Sequence, residues 1–204
     1  MYHRIRIGDA RGEFEIAAFY GQRIEGLTVH GSDVRAGVFN ENEVRAAAGM
    51  TMVMGAVAFV LALTEQIYLP LQLTTIFFFV EFGIRVTAGI QYSPLGRLAH
   101  VLVRRHEPEW ASARPKRFAW SMGLVLSFAM VIITNSGIRG ALPATLCSIC
   151  LVLMWMESAL GFCAGCEIYA SLRRRGWIAK DDAIEICAGG VCEAPRPAAA
   201  AIKS

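Results

Sequence analysis

Four long apolar blocks dominate the pattern of hydrophobic and polar positions along the chain. They cover residues 46–63, 69–90, 118–134 and 141–166, and charged side chains interrupt only the second and the fourth. At about 1.5 Å per residue in an α-helix, each block can cross most or all of a hydrocarbon core about 30 Å thick. We therefore predict one transmembrane helix at about each of these four ranges.

The segments outside the four blocks carry a different pattern. Polar and apolar residues alternate over residues 2–7, 13–16 and, less regularly, 23–29, and glycines separate these stretches, as is typical of short strands joined by turns. Residues 1–38 are thus predicted to form a small strand-rich cap, which is either a docking site for a partner or a hairpin packed on the helix ends. Residues 173–204 end in an Ala- and Pro-rich run, which predicts a largely flexible tail.

Composition agrees with a membrane protein. The 204 residues are 55% hydrophobic and 18% charged, and the mean hydropathy is +0.44, which is too apolar for an ordinary soluble domain of this size. Helices on the outside of a soluble bundle would need a polar face that these blocks lack. The predicted fold class is therefore all-α integral membrane, with a four-transmembrane-helix bundle over residues 39–172 inserted in the lipid bilayer and the strand-rich cap before it.

The positions of Lys and Arg predict the orientation in the membrane. Most of the positive charge falls between the second and third blocks and after the fourth, at Arg97, Arg104, Arg105, Arg114, Lys116, Arg117, Arg173, Arg174, Arg175 and Lys180. The other two connections hold only Arg139. Since positively charged loops stay on the cytoplasmic side, the cap, the long basic loop and both termini are expected in the cytoplasm. These charges fit contact with anionic headgroups better than nucleic-acid binding.

Three ionisable residues lie inside the apolar blocks. Glu81 and Arg85 are four residues apart and share a helix face, so they can pair and lower each other's desolvation cost. Glu157 lies in the fourth block. It is expected either to line a path for a proton, an ion or a substrate, or to fix helix packing through a hydrogen bond or a salt bridge to Arg85.

The six cysteines fall into three pairs, which are the CSIC pair (Cys147 and Cys150), the CAGC pair (Cys163 and Cys166) and the tail pair (Cys187 and Cys192). Two Cys-x-x-Cys pairs would suggest a zinc ribbon in a soluble chain. On one continuous helix, however, Cys150 and Cys163 would stand about 20 Å apart on different faces, so these pairs are not expected to share a metal. The CSIC pair joins Met154, Glu157 and Gly161 in a stripe that would face the bundle, as packing residues or as a relay.

The CAGC pair is the strongest candidate for chemistry. It is expected at the cytoplasmic rim of the bundle, where water and partners have access, and the nearby arginines would lower the pKa of its thiols. The tail pair stands in a segment that can fold back onto the rim, which suits dithiol exchange through a mixed disulfide. In a reducing cytoplasm these cysteines are expected to be working thiols or metal ligands and not structural disulfides.

Five ordered pieces of the sequence resemble a known family. They are residues 39–45 (FNENEVR), 81–85 (EFGIR), 92–98 (YSPLGRL), 115–119 (PKRFA) and 157–169 (ESALGFCAGCEIY). Through them, residues 39–172 resemble the bacterial integral-membrane family called domain of unknown function 4395, with its E-x-x-x-G-F-C-x-G-C signature. The resemblance implies the inner membrane of a bacterium and the company of thioredoxin-like or rhodanese-like sulfur proteins, and it implies no activity. It covers neither the cap nor the tail pair.

Three functions remain open. The first is a membrane thiol protein that handles electrons or sulfur at the cytoplasmic face, with the CAGC pair as primary dithiol, the tail pair as resolving or delivery pair, and Arg85 and Glu157 tuning the charge along the route. In a variant of it, a small sulfur anion passes across the bundle by way of the CSIC pair. The second is a non-enzymatic anchor or assembly subunit of a larger membrane complex. The third is a metal site with thiolates from the CAGC and tail pairs.

Overall fold

The computed structural model describes residues 20–22, 28–29, 32–33, 37–178, 185–187 and 190–193. Its strands and helices, in chain order, are β1 (Thr28–Val29), β2 (Ser32–Asp33), β3 (Val38–Asn40), α1 (Glu41–Thr64), α2 (Leu69–Thr87), α3 (Pro94–Val103), β4 (Trp110–Ser112), α4 (Ala113–Asn135), α5 (Ala141–Trp155), α6 (Ala164–Arg174), β5 (Glu185–Cys187) and β6 (Gly190–Glu193). The strands predicted at residues 2–7 and 13–16 lie outside the described residues.

Four helices are long and apolar enough to cross a membrane. They are α1, α2, α4, and α5 together with the π-helical turn Met156–Leu160 that continues it. The predicted four-helix membrane fold is thus confirmed. Helix α1 begins before residue 46 because Asn40 caps it, with its side-chain oxygen accepting a hydrogen bond from the Asn42 backbone N–H at 3.2 Å.

The four spanning helices pack unevenly around the bundle. The longest interface joins α2 to α4, and α1 packs against both α2 and α5. Helices α4 and α5 touch each other at far fewer places. Three sides of the bundle are therefore closed by extensive helix packing, and the fourth side, between α4 and α5, is closed by few contacts.

One end of the bundle is covered by a short β-ribbon. Strands β3 and β4 pair antiparallel directly before α1 and α4, with Phe39 opposite Ala111. The buried Phe39 ring packs between Tyr20, edge to face at 5.4 Å, and Trp120 at 5.2 Å. We call this end, where α1 and α4 begin and α2 and α5 end, the charged end.

The last apolar block is not one continuous helix. It ends at Leu160, and Gly161 follows in the left-handed conformation (φ 66°), which favours glycine. The Arg45 guanidinium closes this helix end by donating to the carbonyl oxygens of Ser158 and Ala159, both at 3.3 Å. The chain then starts the separate helix α6, so the positions expected for the CAGC pair from an unbroken helix over residues 141–166 do not hold.

A hairpin follows α6 where the sequence predicts a largely flexible tail. Strands β5 and β6 pair antiparallel, with Cys187 opposite Gly190 in the register. The backbone of β5 lies next to β4, which places this hairpin at the charged end of the bundle.

Candidate functional site

The CAGC pair sits on the first turn of α6. Cys163 is the N-cap residue, and its Sγ accepts a hydrogen bond from the Cys166 backbone N–H at 3.3 Å. Only 8% of Cys163 and 6% of Cys166 is exposed. The predicted open access at the rim is therefore wrong for these thiols. The spanning helix ends at Gly161, and α6 then packs against α4, which buries both thiols.

The surroundings of Cys163 favour the neutral thiol. A side-chain hydrogen bond with Cys166 and burial together raise the pKa of the Cys163 thiol, and the nearby positive charge of Lys116 offsets only part of this rise. Arg173, Arg174 and Arg175, which were expected to lower it, lie at the far end of α6, and the last two are exposed. The prediction of a lowered pKa is thus wrong for Cys163.

Gly165 allows this turn of α6 to lie against α4. A Cβ at Gly165 would stand only 2.6 Å from both Cα and Cβ of Ala119, closer than atoms can approach without a shift. Since Gly165 is one of the two residues between the cysteines, the CAGC spacing also fixes how closely α6 packs on α4.

A buried ionic cluster lies beside the CAGC pair. The Lys116 ammonium is 2.6 Å from Glu157 Oε1, and it is 2.8 Å from each carboxylate oxygen of Glu41. Lys116 is only 2% exposed. It therefore belongs to the interior of the bundle and not to the basic loop in which the sequence pattern counted it.

The salt-bridge partner predicted for Glu157 is wrong, and its place in the cavity wall leaves both of its predicted roles open. Its salt bridge is to Lys116 and not to Arg85. Arg85 instead pairs with Glu81, as the four-residue spacing predicts, with Nε at 3.0 Å and Nη2 at 2.7 Å from Glu81 Oε1. Both side chains are fully buried, and Tyr20 donates a hydrogen bond to the Arg85 carbonyl oxygen.

Lys116 and Glu41 are site residues that the sequence analysis missed. Each stands at the start of an apolar helix, where a charge is ordinary, and they are 75 positions apart in the chain. The family resemblance could have pointed to them, because both lie in sequence pieces that carry it, residues 39–45 and 115–119.

An internal cavity of about 230 Å³ runs along the bundle. Its wall contains both cysteines of the CSIC pair, Cys163, Arg85 and Glu157. The predicted stripe of the CSIC pair, Met154 and Glu157 does face this cavity, whereas Gly161 and Cys166 are not in its wall. The cavity thus connects the CSIC pair, in the middle of α5, with Cys163 at the charged end.

The described residues give no support to a metal centre. Among them, no group of three or more His, Cys, Asp or Glu side chains could hold a metal ion. The described free cysteines are Cys147, Cys150, Cys163 and Cys166. The side chains of Cys187 and Cys192 lie outside the description, so the predicted four-thiolate site is not tested by it.

The comparison with known families identifies the family of the chain. The chain belongs to the family described as "Domain of unknown function (DUF4395)", whose family model matches residues 39–174. The resemblance predicted from the five sequence pieces is therefore confirmed. The match includes the CAGC pair, the CSIC pair and the ionic cluster, and it leaves out the tail pair. No curated protein and no solved structure matches the chain.

Proposed function

We propose that this protein is a membrane thiol protein that exchanges electrons with a small molecule inside the bundle, through the CAGC pair. The observation that carries the proposal is that Cys163 lies in the cavity wall while its Sγ is held against the Cys166 backbone N–H. Side chains three residues apart on a helical turn lie on one face, so these two sulfurs can close into a disulfide and open again.

The burial of the CAGC pair supports a small substrate. A folded thioredoxin-like or rhodanese-like protein has no direct approach to two cysteines that are less than a tenth exposed. A small molecule can reach Cys163 from the cavity, which also holds the CSIC pair. Access through the cavity therefore takes the place of the open rim that the sequence pattern suggested.

The tail pair is the proposed second partner of the CAGC pair. Its hairpin lies next to β4 at the charged end, the same end as Cys163. In the exchange, a tail thiolate attacks the Cys163–Cys166 disulfide, forms a mixed disulfide and releases the other sulfur as a thiolate. The second tail thiolate then breaks the mixed disulfide, so the CAGC pair returns to the dithiol and the tail pair leaves as a disulfide. A thioredoxin-like or rhodanese-like protein would then exchange with the tail pair.

The charge distribution supports the bacterial inner membrane with the charged end in the cytoplasm. Exposed arginines gather there at Arg97, Arg104, Arg105, Arg174 and Arg175. At the opposite end, the connections between spanning helices carry a single one, Arg139. By the positive-inside rule this asymmetry sets the orientation, and the CAGC and tail pairs then act at the cytoplasmic face.

A trapping variant tests the proposal. In Cys166→Ser, Cys163 can still attack an oxidised tail pair, in the reverse of the exchange above, but no second thiol remains to release it. Protein treated with oxidised glutathione and isolated under acid quench should therefore carry a mixed disulfide on Cys163, with a tail cysteine or with glutathione, that a reductant removes. The adduct is identified by intact and peptide mass spectrometry. The matched control is Cys150→Ser, which changes a cysteine of the same cavity and should trap nothing. If Cys163 carries no adduct in Cys166→Ser and the tail cysteines stay unlinked to it, the proposal is wrong.

A further inference from the structure

The thin side of the bundle gives the cavity a mouth toward the membrane. Met122 and Leu126 on α4, and Cys150 and Leu153 on α5, all line the cavity while remaining partly exposed. Few other contacts join these two helices. Because both helices span the bilayer, the mouth between them faces lipid hydrocarbon and not water.

The chemistry of the wall favours a neutral, apolar ligand. Most of the wall is apolar, and it includes the aromatic rings of Phe78, Phe82 and Trp120. Among the described residues in the wall, Arg85 is the one cation, and Glu81 already pairs with it. The hydroxyl groups of Thr51 and Ser127 donate to carbonyl oxygens of their own helices. The cavity therefore offers no uncommitted positive charge to a small sulfur anion.

The size of the cavity fits a substituted ring. An apolar cavity of about 150 Å³ is enough to bind benzene, and this one measures about 230 Å³. A six-membered ring with several substituents can therefore lie between Trp120 and Cys163, with an apolar tail leaving through the mouth into the bilayer.

We propose that the cavity binds a lipid-soluble quinone, which is the electron acceptor of the CAGC pair. This inference rests on the proposed dithiol function and names the substrate class of that site. In the reaction the two S–H bonds of Cys163 and Cys166 break and one S–S bond forms between them. The two electrons and two protons pass to the carbonyl oxygens of the quinone, which leaves as the hydroquinone. Such an acceptor fits the cavity because the mouth opens to the membrane, the wall is apolar and a thiol lies beside it.

The test uses the full chain in lipid nanodiscs with decylubiquinone as the probe. Reduced protein is freed of reductant, oxidised quinone is added, and quinone absorbance and the Cys163–Cys166 disulfide are followed together. We expect one quinone consumed per disulfide formed, and none in the Cys163→Ser, Cys166→Ser protein. Because Trp120 lies in the wall, bound quinone should also quench its fluorescence, and Trp120→Phe identifies that part of the signal.

Two neighbouring substitutions on α4 test entry through the mouth. Leu126→Trp places an indole ring in the cavity and should slow quinone reduction at least about tenfold. Val125→Trp is the matched control, because Val125 is 67% exposed and is not in the wall. Equal slowing by both substitutions would overturn the inference.

The outcomes separate this inference from the proposed function. If oxidised glutathione closes the Cys163–Cys166 disulfide but decylubiquinone is neither consumed nor quenches Trp120, the quinone site is wrong and the dithiol function stands. If neither oxidant closes the disulfide, both are wrong.

Discussion

The Lys116 ammonium lies 2.6 Å from Glu157 Oε1 and joins the first turn of α4 to the last turn of the fourth spanning helix. The same ammonium holds Glu41 at the start of α1. Three of the four spanning helices therefore meet at one buried cation beside the CAGC pair. This cation is a shared salt-bridge partner of two buried carboxylates.

Replacing Lys116 should destabilise the bundle strongly. Lys116→Met leaves Glu41 and Glu157 buried without their cation, which should lower the free energy of unfolding by about 3–5 kcal/mol. Thermal unfolding in mild detergent measures the loss.

Arg117→Met is the control, since Arg117 is exposed and gives up only its stacking at 4.6 Å on Tyr20. This loss should lower the free energy of unfolding by about 1 kcal/mol. Adding Glu157→Gln to Lys116→Met should recover part of the loss. Equal melting temperatures for Lys116→Met and Arg117→Met would contradict the cluster's role.

A methyl group on Gly165 should disturb the CAGC pair. In Gly165→Ala the new Cβ meets Ala119 at 2.6 Å, so α6 has to move away from α4 and Cys163 has to leave its place in the cavity wall. We expect faster alkylation of Cys163 by a small maleimide, read by peptide mass spectrometry. Gly83→Ala is the matched control on a spanning helix, because its nearest neighbour would be Leu124 Cδ1 at 3.9 Å. Unchanged labelling in Gly165→Ala would show that this close contact does not hold the dithiol.

The alkylation rate of Cys163 should rise at a higher pH than the rate of an ordinary thiol does. Its pKa is raised by the hydrogen bond with Cys166 and by burial, and the thiolate is the reactive form. The rate should be low at neutral pH and should still rise about tenfold per pH unit near pH 8.5, where an ordinary thiol begins to level off. The same protein unfolded in detergent is the reference. A plateau below pH 8 in the folded protein would contradict the raised pKa.

The spanning helices could be predicted from the sequence because length and apolar composition are local properties. The burial of Lys116 could not, because it depends on Glu41 and Glu157, which are 75 and 41 positions away. A lysine at the start of a membrane helix has the same local pattern whether it faces headgroups or the interior.

The helix break at Gly161 in the last apolar block was indicated less clearly by the local sequence than the spanning helices were. A glycine after an apolar run often ends a helix in the left-handed conformation, and Gly161 does so. The same residue type also occurs inside transmembrane helices, so the sequence alone favoured continuity. Because of this one conformation, Cys163 lies in the cavity wall and Cys166 is buried beside it, and neither is at the open rim that the sequence predicts.

A redox titration of the CAGC pair in lipid nanodiscs tests whether Cys163 and Cys166 form a reversible disulfide. The protein is equilibrated with mixtures of reduced and oxidised glutathione, whose potentials cover the range of known Cys-x-x-Cys pairs. It is then quenched with acid, and the state of Cys163 and Cys166 is read by mass spectrometry. We predict one two-electron transition in which Cys163 and Cys166 become linked to each other, and this transition should be retained in the Cys147→Ala, Cys150→Ala protein. If both cysteines stay reduced and unlinked across the whole range of mixtures while the protein remains folded, the dithiol account is wrong.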